Sequence, residues 1–311
     1  MATVLITGGT GMIGKALTKV LLEKGYEVII LTRNIEQLEI KNSKLKIDYA
    51  EWNVAKQLID ENAIAKADYI IHLAGANVGE KRWTKKRKRE IVSSRVDSGK
   101  LIVESLKNIP NKVKAVVSAS AMGYYGPDRE NNPGFRETDP AFTDFLGSTC
   151  KQWEESIQPV TQLEKRLVLL RAGIVLSKKG GAFPKFLNAL QFGLATVLGN
   201  GKQIISWIHI DDLVRMYITA IENEKLSGVY NAVAPNPISN KEFILTLAKE
   251  RNKFFIPVRV PSFVLKTVLG EMSVEVLKSA RVSSEKIEKD GFEFLYPTVD
   301  SAFQKLLHHN P

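Results

Sequence analysis

The sequence predicts an α/β protein: a doubly wound parallel sheet with helices on both faces, followed by a smaller, mostly helical C-terminal domain beside the strand ends. Three observations predict it. Short apolar, β-branched runs alternate with helical periodicity along most of the first 233 residues. A glycine-rich turn, Thr7-Gly8-Gly9-Thr10-Gly11-Met12-Ile13-Gly14, separates the first apolar run from the first helical pattern. Beyond residue 233 the chain changes to short helices punctuated by Pro235, Pro237, Pro257, Pro261 and Pro297. With 311 residues, 44% of them hydrophobic, the chain can bury a core for one large and one smaller domain. The expected division is 1–175 plus 207–233 for the larger domain and 176–206 plus 234–311 for the smaller.

Val4–Ile6 reads as the first strand. Leu17, Val20 and Leu21 recur at helical spacing behind the glycine turn and predict a helix over 11–24. Val28–Leu31, Leu45–Tyr49 and Tyr69–Leu73 read as the next three strands. A helix over 84–107 is expected to bury Val92, Val96, Gly99, Val103 and Leu106. Ala115–Ser118 is the fifth strand, followed by a helix over 144–163, a strand at Leu167–Leu170, and a helix over 211–223 capped by Asp211 or Asp212. Val229–Asn231 and a helix over 240–251 complete the regular elements. Residues 126–148 scatter Pro127, Pro133, Gly134, Pro140 and Gly147 among polar side chains, the composition of a long functional loop. Residues 178–206, with Gly180-Gly181 and Gly199-Asn200-Gly201, form a second irregular zone assigned to the smaller domain.

Composition excludes several classes of function. No apolar stretch approaches the ~20 residues needed to span a bilayer, and the N-terminus enters a strand at once, so no membrane and a cytoplasmic location are expected. A single cysteine, Cys150, excludes an internal disulfide and a cysteine-based metal cluster, and the four histidines lack ligand spacing. Net charge is +10, of which seven charges fall in Lys81, Arg82, Lys85, Lys86, Arg87, Lys88 and Arg89, leaving +3 elsewhere. These residues sit at the positive end of their helix's dipole and read first as a solvated face. Attraction of a phosphorylated cofactor or an acidic substrate ranks second. Nucleic-acid binding ranks last, because no recognition-helix, zinc-finger or RNA-binding aromatic motif accompanies the cluster.

The glycine turn is the strongest chemical signal. At Gly8, Gly11 and Gly14 a Cβ would obstruct the tight turn, the approach of a phosphate, or close helix-to-strand contact. Free N–H groups and the helix dipole there attract an anion. At the first strand-to-helix turn of a β-α-β chain this is a Rossmann dinucleotide site, with Gly8, Thr10, Gly11, Met12, Ile13 and Gly14 at the pyrophosphate. In such a unit the end of the second strand meets the adenosine ribose, where an acid suits NAD. Here Thr32-Arg33-Asn34 stands there, and a guanidinium holds a 2′-phosphate through bidentate, charge-assisted bonds, so NADP (NADPH) is expected in preference to NAD. The fourth strand ends in small residues, placing Leu73, Ala74 and Gly75 beside the cofactor. His72, between apolar neighbours, reads as a core histidine.

These segments, with Ser118-Ala119-Ser120-Ala121-Met122-Gly123-Tyr124-Tyr125-Gly126 and Trp207-Ile208-His209-Ile210-Asp211-Asp212, resemble the extended short-chain dehydrogenase/reductase superfamily of the NAD-dependent epimerase/dehydratase type. Trp83 with Ser94-Arg95, Cys150-Lys151-Gln152-Trp153-Glu154, Gly180-Gly181-Ala182-Phe183-Pro184 and Gly291-Phe292-Glu293-Phe294 are similar to its atypical epimerase family subgroup, which carries a C-terminal domain of unknown function. The resemblance implies the Rossmann fold, an NADP site and a small-molecule substrate, but no settled reaction.

The superfamily's acid/base device is a tyrosine with a lysine four residues on and a serine from the preceding strand. On a helix that spacing puts ammonium and phenol on one face. None of the eight tyrosines here has lysine at that spacing; the nearest approximation is Tyr125 with Arg129, interrupted by Pro127. Aligning Glu154 with the glutamate that usually follows the lysine puts Cys150 in the lysine's place and Leu146 in the tyrosine's. Arg95 stands where an asparagine is usual. Ser120, with Ser118 as the alternative, matches the serine, and Ser118 is otherwise placed with the cofactor-lining residues.

Candidates for the missing proton transfer are Tyr124, Tyr125, the loop acids Glu137, Asp139 and Asp144, and Cys150, with Ser120 and Tyr124 preferred. Packing, caps and a small buried thiol are their structural alternatives. His209 reads first as structural. Arg171, Lys178, Lys179, Lys202 and Arg281 are candidates for an anionic substrate. The leading expectation is an NADP(H)-dependent oxidoreductase or nucleotide-sugar-epimerase-like enzyme. The alternative is a non-catalytic NADP-binding redox sensor, and a homodimer stays open.

Overall fold

The computed structural model describes residues 1–35, 47–128, 133–252 and 254–308. Its strands are β1 (Thr3–Thr7), β2 (Glu27–Thr32), β3 (Ile47–Asn53), β4 (Leu58–Ile59), β5 (Tyr69–His72), β6 (Ala115–Ala121), β7 (Arg166–Ala172), β8 (Ile174–Leu176), β9 (Leu194–Leu198), β10 (Ile204–Ile205), β11 (Trp207–His209), β12 (Gly228–Ala232), β13 (Ile238–Ser239) and β14 (Ile256–Val260). One eight-stranded sheet runs in the order β12-β7-β6-β5-β1-β2-β3-β4, parallel except where β4 meets β3.

Alternation along each strand explains why these runs are apolar throughout. Val4 and Ile6, Val28 and Ile30, and Val168 and Leu170 join a core with the helices Met12–Glu23 and Ile210–Glu222. Leu5, Ile29, Leu31, Leu167 and Leu169 point to the other face, packing with the helices Glu61–Lys66, Lys85–Asn108 and Phe145–Ile157. A parallel sheet covered on both sides has no wet face to give a polar alternation. A third core gathers Phe183, Phe243 and Phe303 from helices of the C-terminal half with Val197 of β9 and Trp207 of β11.

Several expectations shift. The third strand occupies Ile47–Asn53, so Tyr49 is followed by further strand residues, and Leu45 lies outside the described residues. The helix Lys85–Asn108 buries Ile91, Ser98, Leu101 and Ile102 with Gly99, Val103 and Leu106, while Val92 and Val96 are only half-buried. Its buried stripe includes serines because their hydroxyls return to carbonyls of the preceding turn, Ser98 to Ser94 and Ser105 to Leu101. The 144–163 segment is an α-helix to Ile157, then a 3₁₀ stretch Gln158–Leu163 that Pro159 begins. The helix Ile210–Glu222 is capped by His209, whose Nδ1 accepts from the Asp211 amide at 3.1 Å. Asp212, expected as a cap, is instead fully buried and accepts from the Leu295 and Tyr296 amides, tying the C-terminal segment to the sheet domain.

Lys81, Arg82, Lys85, Lys86 and Arg89 of the basic cluster are exposed, as a solvated face requires, while Arg87 and Lys88 are drawn inward. Arg87 is buried between Glu80 and Glu90, Lys88 pairs with Glu271, and Arg82 donates to the Thr267 carbonyl. These contacts draw the C-terminal segment 267–271 onto the start of the helix, so part of the charge is internally compensated. Among the described residues no helix is long and apolar enough to cross a membrane.

Candidate functional site

Strand order reverses between β1 and β5, and Thr7 lies in register with His72. Both loops leaving these ends open on the same crevice, where open α/β sheets bind their ligands. Gly8 has φ +69°, and a Cβ there would stand 2.9 Å from the Leu73 carbonyl carbon; one on Gly14 would stand 2.5 Å from the Gly8 oxygen. These two glycines therefore let the turn and the helix close on each other. Gly11 differs: a Cβ would meet only the Gly8 oxygen at 3.2 Å, and Thr10 and Gly11 are exposed. The helix Met12–Glu23 starts at Gly11 with no side-chain cap and no acid in its first turn. An uncapped, acid-free helix start on an open glycine turn fits a phosphate-bearing ligand. Met12 and Ile13 are half-buried, and Met12 packs against Gly180 and Gly181 from the second irregular zone.

Arg33 follows β2 and is exposed. It stands two residues beyond Leu31, the register partner of Thr7, on the same edge of the sheet as the glycine turn.

His72 organises the opposite wall. Thr7 Oγ1 accepts from the Leu73 and Ala74 amides, both at 3.1 Å, and donates to His72 Nδ1 at 2.7 Å. The ring then carries its proton on Nε2, facing Ser98 Oγ at 3.2 Å, and Ser98 donates to the Ser94 carbonyl. This chain fixes the backbone of Leu73 and Ala74, so His72 is the core residue its neighbours predicted. Burial, reinforced by Arg95, pulls its pKa down to about 3. Gly75 packs against the Arg95 side chain, and Ser118, in register with His72, is buried with its hydroxyl on the Ala119 carbonyl.

Ser120 lies near the end of β6, 3% exposed, and donates to Glu154 Oε1 at 2.6 Å. With its one proton committed, Ser120 offers lone pairs only. Glu154 is held by Arg171, which also donates to the Tyr125 hydroxyl at 2.8 Å and the Glu137 carbonyl. Tyr125 is fully buried, donates to Asn231 Oδ1 at 2.7 Å and stacks on Phe135. Burial pushes its phenol well above the ordinary range. Tyr124 is half-buried, its ring 3.4 Å from the Arg171 guanidinium carbon, and its hydroxyl makes no hydrogen bond among the described residues.

Several of the remaining candidates take structural roles. Arg171, considered for an anionic substrate, is spent on Glu154. Glu137 accepts from the Asn231 amide, Asp139 from the Arg136 amide, and Asp144 caps the helix Phe145–Ile157. Cys150 is buried, and that burial raises its thiol to about 12. Lys178, Lys179 and Lys202 are exposed. Arg281 lines an open pocket of about 580 Å³ together with Lys289 and the carboxylates of Glu285 and Glu288, two cations against two acids. Arg129 lies outside the described residues. Among those described, no three His, Cys, Asp or Glu side chains group to hold a metal.

Sequence reasoning missed Lys278, which the C-terminal segment brings to the Tyr125 carbonyl at 3.3 Å and to Glu275 at 2.9 Å, with Asp144 at 3.6 Å. No local pattern marks it, because its partners lie more than a hundred residues away apart from Glu275. The 126–148 stretch, read as a loop, packs through Phe135 against Val282.

The "NAD dependent epimerase/dehydratase family" matches residues 4–232, and a "Domain of unknown function (DUF1731)" matches residues 260–306. An epimerase family protein of Staphylococcus saprophyticus is 38% identical over 305 residues, covering 98% of this chain and 99% of the relative. The epimerase family protein YfhF of Bacillus subtilis is 35% identical over 307 residues, covering 98% and 97%. Among solved structures, the human epimerase family protein SDR39U1 (isoform 2), crystallised with NADPH, superposes with a TM-score of 0.84 at 28% identity and 98% coverage of each chain. A nucleoside-diphosphate sugar epimerase from Corynebacterium glutamicum superposes at 0.77 and 30% identity, covering 98% of this chain and 58% of that one.

Proposed function

From the premise that this chain belongs to the NAD dependent epimerase/dehydratase family, we propose that it is an NADP(H)-dependent oxidoreductase or nucleotide-sugar-epimerase-like enzyme that works without the tyrosine–lysine pair. The observation that carries the reading is the open, uncapped helix start at Gly11 on the same sheet edge as the exposed Arg33. The NADPH in the human relative and the sugar-nucleotide class of the Corynebacterium neighbour agree with it. Gly8, Gly11 and Gly14, with the Thr10, Met12 and Ile13 backbone, hold the pyrophosphate; Leu73, Ala74, Gly75 and Ser118 line the cofactor; Arg33 takes the 2′-phosphate. When bound, NADP supplies hydride exchange. Ser120 orients a substrate hydroxyl by accepting its proton in a hydrogen bond, since its own is given to Glu154. Tyr124, whose hydroxyl is uncommitted among the described residues, exchanges the proton.

One observation favours a second reading, a non-catalytic NADP-binding sensor: Leu146 and Cys150 replace the acid/base pair, and the Cys150 thiol is pushed up to about 12. Single-turnover oxidation of bound NADPH by ketones and quinones, and reduction of bound NADP+ by sugar nucleotides, separates the two. Turnover that falls in Ser120→Ala and Tyr124→Phe is expected; tight NADPH binding with no turnover on any compound establishes the sensor.

A further inference from the structure

Arg95 is a mostly enclosed cation without an acid. Both hydrogen bonds it makes come from Nη1, to the Ala76 and Ile91 carbonyls at 3.0 Å each, and among the described residues no carboxylate pairs with it. Carbonyl dipoles alone compensate a desolvated guanidinium poorly. Its Nε and Nη2 make no hydrogen bond among the described residues. Those two nitrogens form one edge of the planar fork, an arrangement that grips a pair of adjacent acceptors.

Its location is set from three sides. Gly75, in the loop after β5, is so close that a Cβ would stand 3.1 Å from the guanidinium carbon. That carbon lies 4.9 Å from the Trp153 ring centre, and Trp153 is one turn from Cys150 on the same helix. Cys150 in turn packs beside Gly123, between Ser120 and Tyr124 in the chain. The guanidinium thus fills the ground between the cofactor-side loop after β5 and the helix position where this chain carries a short thiol.

We propose that Arg95 supplies, from the helix Lys85–Asn108, the cationic fork that grips the vicinal hydroxyls of the nicotinamide-side ribose of NADP, standing in for a cation absent at Cys150. The assignment rests on the NADP reading above. It accounts together for the two departures at positions 95 and 150: the positive charge has moved from one helix to its neighbour.

Calorimetric titration of NADPH and of 2′,5′-ADP, which keeps the 2′-phosphate but lacks the nicotinamide ribose, tests it. Arg95→Met is expected to weaken NADPH about tenfold, the worth of one charge-assisted contact, with 2′,5′-ADP affinity held within about twofold. The double variant R95N/C150K, which returns the cation from the lysine side, is expected to recover most of the NADPH affinity. Unchanged NADPH affinity in R95M, or equal weakening of both ligands, overturns the assignment. Should R95M prove insoluble, Arg95→Lys keeps the charge and stem but not the fork, and the same selective loss is expected of it. Wild-type protein that binds neither ligand fails the NADP reading itself, a result distinct from failure at Arg95.

Discussion

Arg171 and Glu154 face each other edge to edge inside the protein, Nε on Oε1 and Nη2 on Oε2, each at 2.8 Å, with the residues 2% and 8% exposed. The pair is the floor on which Ser120, Tyr124 and Tyr125 rest. Breaking a buried pair from one side leaves a charge with no compensation, a loss of about 3–5 kcal/mol. Glu154→Gln and Arg171→Met are each expected to cost at least about 3 kcal/mol in urea unfolding, and the double variant less than their sum. Single variants as stable as the parent would refute the role given to the pair.

The glycine turn separates packing from ligand approach. Gly14→Ala drives a Cβ to 2.5 Å from the Gly8 oxygen and the Gly9 Cα, so destabilisation of about 1–3 kcal/mol is expected. Gly11→Ala meets one atom at 3.2 Å and should fold normally yet bind NADPH more weakly. Melting curves with and without NADPH distinguish the two, and a Gly11→Ala protein with full affinity would move the phosphate elsewhere.

Cofactor choice is expected to follow Arg33. A charge-assisted hydrogen bond contributes about 1.5–3 kcal/mol, so Arg33→Asp should cut the preference for NADPH over NADH by roughly 10- to 100-fold. Fluorescence titration with both cofactors measures it, and an unaltered preference excludes Arg33 from the 2′-phosphate.

His72 makes stability fall in acid. Its folded pKa, about 3, lies below the ordinary 6.5, so between those values the unfolded chain binds a proton that the folded chain refuses. Stability is therefore whole above about pH 6.5 and declines as pH drops toward 3, with a slope of up to about 1.4 kcal/mol per pH unit from this group. His72→Gln should flatten that segment of the profile; an identical slope in both proteins would assign it to other groups.

Cys150 should be silent in the native state. Burial and a thiol raised to about 12 leave almost no thiolate at pH 8. A disulfide reagent is expected to find one thiol in urea and none in the folded protein. Rapid native labelling would contradict the packing described.

The fold was legible because its signals are local. Apolar runs bounded by glycine, helical spacing behind Gly14, and prolines after residue 233 each report how a few neighbouring residues are buried or turned, and strand-helix alternation then leaves few topologies. His72 could be read for the same reason, lying between Ile71 and Leu73. Boundaries and faces slipped where a side chain's partner was remote. Asp212 looks like a helix cap in sequence, yet it binds amides 83 and 84 residues away. Lys88 looks solvated until Glu271 arrives 183 residues on.

By itself, then, the sequence determined the parallel sheet, the glycine turn at its first strand end and the arginine at its second, since periodicity and backbone permissiveness act over one or two turns. Only the tertiary structure decided what the polar side chains do there. Ser120 donates to Glu154, Arg171 is its buried counterion and Arg95 reaches the Ala76 carbonyl because hydrogen-bond capacity is assigned by whichever partner folding brings within about 3 Å, and these partners come from other elements of the fold.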